Sequence, residues 1–175
     1  METQAPSVKK IAMTYGLLWG LASIVMSVIM YVTGNHLERS WVQTVVGIII
    51  MVAAIYMGLK AFKKESGGYM SFGEGLKTGM AVTLIAAVIG AIWFYLFVTV
   101  IETGFQEQLL ENSLDQMLEQ NPNMPQEQID TAMSITESMT QPWILTSFSI
   151  IGTLFFGFIT SLIVSAVTKQ DRPNQ

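Results

Sequence analysis

IAMTYGLLWGLASIVMSVIMYVT, residues 11–33, runs for 23 residues without an Asp, Glu, Lys, Arg or His. As an α-helix rising about 1.5 Å per residue it covers roughly 35 Å, enough to cross a hydrocarbon core of about 30 Å. The apolar region of a cleaved signal peptide is shorter, about 7–15 residues, and ends at a small-residue cleavage site. The stretch therefore reads as an uncleaved membrane anchor. Ala12, Gly16, Gly20 and Ser27 place small residues along one side of it, and Lys9 and Lys10 precede it. The whole chain agrees: 51% of its residues are hydrophobic and 13% charged, against about 25% charged in an average soluble domain.

Moving outward, Gly34 and Asn35 break the apolar run, and His36, Glu38 and Arg39 form a short hydrophilic turn. Trp41 opens a second span over about residues 41–62, closed by Lys60, Lys63 and Lys64. After the Ser66-Gly67-Gly68 loop, Ser71 and Glu74 have the spacing of a capping box, in which hydroxyl and carboxylate each satisfy an orphan N–H of a helix start. This predicts a third helix, with its membrane portion at about residues 79–101. No proline follows before Pro122, so the helix is free to continue outward, with Gly104 the obvious place for a bend. Pro142 and Trp143 start a fourth span at about residues 143–168, since proline suits a first helical turn. Along that span Ser149, Thr153, Gly157, Ser161 and Ser165 recur every fourth residue. Such a ridge lets helix backbones approach closely where no hydrophobic drive exists between spans.

Residues 102–141 differ from everything around them: eight carboxylates and no Lys, Arg or His. Phe105, Leu109, Leu110, Leu114, Met117 and Leu118 recur at helical spacing. The Asn121 to Pro125 cluster is a turn signal. Beyond it Ile129, Ala132, Met133, Thr136 and Met139 outline a second amphipathic helix. The expectation is an acidic helical hairpin outside the membrane.

Charge assigns the sides. Four spans put both termini and the loop before the third span together, with Lys9, Lys10, Lys60, Lys63, Lys64, Lys77, Lys169 and Arg172, whereas the other side has Arg39 alone. Because Lys and Arg in short loops stay inside, both termini are expected in the cytoplasm and residues 102–141 outside.

No residue pattern in the chain assembles a reactive site. The glycine-rich run around Gly67 to Gly79 fails as a phosphate loop, because Leu76 separates Gly75 from Lys77 and no strand precedes it. It reads instead as a capped helix start followed by close packing at Gly75 and Gly79. A Ser71 nucleophile would need His36, the chain's one histidine, which the topology puts across the bilayer, far beyond the hydrogen-bond reach of about 3 Å. Glu107, Glu111, Asp115 and Glu119 recur every fourth residue, which suits a solvated helix face and also a hard cation; the solvated face is the simpler reading. The spans carry no buried charge to mark an ion path. No cysteine is present, so disulfides and thiolate metal sites are excluded, and the scattered basic residues make no nucleic-acid stripe. No catalytic, cofactor or metal residue is assigned.

Three features carry a resemblance: Tyr15 to Leu21 opening the first span, Met70 to Gly79 leading into the third, and the acidic insert before the fourth. Together they resemble the small four-span bacterial membrane proteins of domain of unknown function 4199, common in Bacteroidota. The resemblance covers nearly the whole chain. It implies a Gram-negative inner membrane and a periplasmic location for residues 102–141, and it transfers no functional residue.

The reading is an all-α integral membrane protein in one domain, residues 1–175, with four transmembrane helices in an up-down bundle and a helical hairpin between the third and fourth. Gly16, Gly20, Gly75, Gly79, Ser149, Thr153, Gly157, Ser161 and Ser165 are expected to pack helices, and Ser71 with Glu74 to cap one. The expected role is non-enzymatic, a scaffold or accessory protein using the hairpin to bind a partner, with no cofactor. Besides the bilayer, the expected partner is another membrane protein or a second copy. An oligomeric pore whose subunits meet through the Ser149 to Ser165 ridge is the alternative. A lipid-modifying enzyme acting through Glu74 and Lys77 stands third.

Overall fold

The computed structural model describes residues 7–34 and 41–172. The reading of His36, Glu38 and Arg39 as a turn lies outside the described residues. Among the described residues six α-helices follow in order: α1 (Val8–Val32), α2 (Trp41–Glu65), α3 (Phe72–Leu96), α4 (Phe105–Gln120), α5 (Gln126–Met139) and α6 (Pro142–Thr168). A π-helical turn, Phe97–Ile101, extends α3. Among the described residues four helical stretches, α1, α2, α3 with its π turn, and α6, are long and apolar enough to cross a membrane.

Local chemistry sets the ends. The Ser7 hydroxyl accepts from the Lys10 N–H at 3.3 Å and caps α1. Gly67 and Gly68, with φ of 70° and 95°, reverse the chain after α2, and the Gly68 N–H returns to the Lys63 carbonyl at 2.8 Å. These positive φ values favour glycine, which has no Cβ to clash. The third helix does not run on into the acidic segment. Its last turn widens, the Glu102 N–H reaching back five residues to the Phe97 carbonyl at 2.8 Å, and Gly104 then precedes a separate α4.

The chain divides into two compact units, one drawn from Met1–Gly90 with Ile150–Gln175 and the other from Ala91–Ser149. In the first, many large apolar side chains face outward, while small residues join Ile55, Leu59, Met70 and Val82 inside. Leu18, Leu21, Ile49 and Ile163 are at least half exposed, whereas Ala12, Ala54, Ala86 and Ala87 are buried. Gly16, Gly20, Ser161 and Ser165 are buried with them. Continuous apolar surface of this extent is foreign to a water-soluble monomer and suits lipid.

Helix directions follow from which residues meet. A Cβ on Gly16 would lie 2.6 Å from Ile85 Cβ, and one on Gly20 2.7 Å from Ile89 Cγ2. Both contacts advance together, so α1 and α3 run parallel. Gly75 faces Ser165, Gly79 faces Ser161, and Thr83 faces Gly157. Here one number rises as the other falls, so α3 and α6 run antiparallel.

In the second unit α4 packs against α5. The Gln106 side-chain amide donates to the Glu137 carbonyl at 3.2 Å. Neither helix has a buried residue. Phe105 opens α4 edge-on to both Phe94 and Phe97, with ring centres 6.0 and 6.1 Å away, which fixes the chain reversal at Gly104.

Candidate functional site

Small residues make the seam between α3 and α6 tight. Glycine at 75 and 79 leaves room for one serine each: the Ser165 and Ser161 hydroxyl oxygens lie 2.8 and 2.5 Å from where Cβ atoms on Gly75 and Gly79 would be. At Gly157 the same role is reversed, and the Thr83 side chain fills the missing Cβ's place. In all three pairs the residue numbers sum to 240, a register that next pairs Ala87 with Thr153. Gly16 and Gly20 seat α1 on α3 in the same way. Ser149 lies in the second unit and is half-buried, its hydroxyl donating back to the Thr146 carbonyl at 2.8 Å.

Hydroxyls in apolar helices usually bond the carbonyl a turn behind. Thr78 and Thr83 do so, to Glu74 and Gly79 at 2.8 and 2.9 Å. The Ser161 and Ser165 hydroxyls, fully buried, have no such partner. They face Gly79 and Gly75 of α3 instead. The seam is held by shape more than by strong hydrogen bonds.

At one end of this unit four helix termini gather. A Cβ on Gly58, late in α2, would meet Ile11 and Tyr15, early in α1, at 3.7 Å. The Lys63 ammonium donates to the Thr168 carbonyl at the end of α6, at 3.2 Å, satisfying a carbonyl that the helix end would leave bare. Met70 and Gln170 exchange two backbone hydrogen bonds of 2.9 Å, tying the loop before α3 to the chain after α6. Met70 is fully buried beneath that bridge. The cap of α3 sits here too. The Ser71 N–H and hydroxyl donate to the Glu74 carboxylate at 2.8 and 3.0 Å, and the Glu74 N–H returns to the Ser71 hydroxyl at 3.3 Å. Arg172 acts on the same carboxylate through its charge. Glu74 is thus engaged by its own helix start.

The acidic helices present a different surface. Glu107, Glu111, Asp115 and Glu119 are all exposed along α4, while Leu109, Leu114 and Met117 are half-buried. Among the described residues no group of three or more His, Asp or Glu converges to hold a metal ion. Leu118, Ile135 and Met139 stay exposed, Ile135 at 56%. A depression of about 280 Å³ lies over the α4–α5 turn, lined by Asn121 to Pro125 and Gln128. It gathers amide and apolar groups without a nucleophile or a charged side chain.

The fold and the three features of the resemblance are joined by a direct match. Residues 14–170 match the model of the family described as Protein of unknown function (DUF4199). The chain belongs to this family. The match takes in α1 from Thr14, every later helix and the Met70–Gln170 bridge, so the seam and the acidic helices are both family territory. No curated protein and no solved structure matches the chain.

Several of these contacts leave no trace in the sequence. Nothing in the residue pattern joins Met70 to Gln170 or Lys63 to Thr168, each pair a hundred or more positions apart. Thr83 is the more legible of these, because it continues the four-residue spacing of Gly75 and Gly79. The ridge expected to join subunits in the pore reading packs otherwise, since Gly157, Ser161 and Ser165 face α3 of the same chain.

Proposed function

We propose that this DUF4199 protein is a non-enzymatic scaffold or accessory subunit of a bacterial inner membrane. Its spans form an up-down bundle with both termini cytoplasmic, and α4 and α5 form a periplasmic hairpin that binds a partner. The observation that carries the partner role is that α4 and α5 complete no core of their own. Each has an apolar stripe, yet neither buries a residue, and Ile135 and Met139 stay exposed. An amphipathic pair of that kind has surface left for a partner. The parallel α1–α3 and antiparallel α3–α6 contacts support the up-down order. The basic residues at the opposite ends of the spans support the orientation.

The test is cross-linking in intact cells with two variants, deletion of residues 106–140 and the double change Ile135→Glu with Met139→Glu. Both should still insert in the membrane and lose the cross-linked partner that the wild-type chain gives. An unchanged set of cross-linked partners after the deletion would remove the hairpin from the function.

A further inference from the structure

The seam between α1 and α3 has one flank covered and one open. In both contacts, Gly16 with Ile85 and Gly20 with Ile89, the α3 residue stands 69 positions after its α1 partner. Levels along the two helices can therefore be matched. Lys77 stands at the level of residue 8, within a turn of Lys9 and Lys10, so three exposed ammonium groups gather at the head of the seam.

Gly58 meets Val82, Ile11 and Tyr15, which places α2 against one flank of the pair. On the other flank stand Met13 and Leu17, three before and one after Gly16, and Leu84 and Val88, one before each contacting isoleucine. All four are 40 to 50% exposed. They line a shallow apolar groove whose floor is the tight Gly16 and Gly20 contact. From Lys10 to Leu21 it runs roughly 16 Å at about 1.5 Å per residue, close to half of a hydrocarbon core of about 30 Å.

Among the described residues of α1 and α3 at the head of the groove, Glu74 is the one carboxylate against three lysines. Its oxygen is already occupied by the Ser71 N–H and hydroxyl. From this we infer that the groove holds one anionic phospholipid. Lys9, Lys10 and Lys77 take its phosphate, and an acyl chain lies along Met13, Leu17, Leu84 and Val88. Lysines at a membrane surface recognise anionic headgroups by charge, and here the groove below adds a place for the chain. The inference rests on the four long helices being membrane spans.

The full-length protein in nanodiscs of equal phosphatidylglycerol and phosphatidylcholine, followed by native mass spectrometry, tests it. The wild-type chain should keep one phosphatidylglycerol, with a preference of about tenfold over phosphatidylcholine. K9Q/K10Q/K77Q should abolish that preference. K60Q/K64Q/K169Q, the same charge change at the same end, should keep it. Leu84→Trp, which fills the groove, should lower retention with the lysines intact. Equal loss in the two triple variants would overturn the site in favour of diffuse surface charge. Displacement by millimolar inorganic phosphate would overturn the lipid as occupant. Failure to enter the nanodisc contradicts the spanning reading and the site with it, whereas entry without selective retention contradicts the site alone.

Discussion

The two ends of this chain's polar chemistry are built in opposite ways. Around the start of α3, helices touch through glycine, serine and threonine, and hydrogen bonds tie the ends of α2 and α6 and the start of α3. In α4 and α5 the side chains are larger and more amphipathic, no residue is buried, and the helices touch along a half-covered stripe. The first region is specified by shape, because in lipid there is no hydrophobic gain from pressing apolar helices together. The second lies in sequence composed for water and keeps apolar groups that water does not favour. Precise fit marks the part that holds the protein together, and incomplete burial marks the part open to another molecule.

Substitutions at the tight seam should give the largest effects. Gly79→Leu drives a side chain into Ser161, and overpacking of this kind should cost about 3 kcal/mol or more. The purified protein should melt far earlier or fail to accumulate. Gly152→Leu is the control, because nothing lies within 4 Å of that position, and its melting should stay near wild type. Equal damage from both would mean that the seam is not special.

The acidic helices should respond more gently. Leu114→Ala, at a half-buried position of α4, should cost at most about 1.5 kcal/mol. Hydrogen exchange should rise in α4 and α5 and stay unchanged at the seam; a loss as large as that of Gly79→Leu would erase the contrast. Next is the cap, where Ser71→Ala should cost about 1 kcal/mol, read in the same melts. Smallest is Glu111→Gln, which relieves like charges one turn apart and should stabilise by a few tenths of a kcal/mol. Destabilisation well beyond that would point to a bound cation that the carboxylate row was not expected to hold.

The four spans are legible in the sequence because length and absence of charge suffice to mark them. The spacing of Gly157, Ser161 and Ser165 is legible too, since small residues every fourth position define a ridge on any helix. What a ridge cannot carry is its partner, and Gly75, Gly79 and Thr83 are matched to it only by the register of two helices some eighty residues apart. The end of α3 was open for a similar reason. Periodicity continues through Val98 to Ile101, and the break depends on Phe105 folding back between Phe94 and Phe97. The partner and activity are less legible still, because recognition by a helical surface needs no fixed motif.

The proposed topology puts the basic ends of the spans and the acidic helices on opposite sides of one membrane. The chain has no cysteine, so single cysteines can report their side without background. Glu65→Cys, at the end of α2, and Ser134→Cys, on α5, are both at exposed positions. With an impermeant maleimide, position 134 should label from the periplasmic side, and position 65 only in inverted vesicles. Labelling of both from the same side would contradict the account.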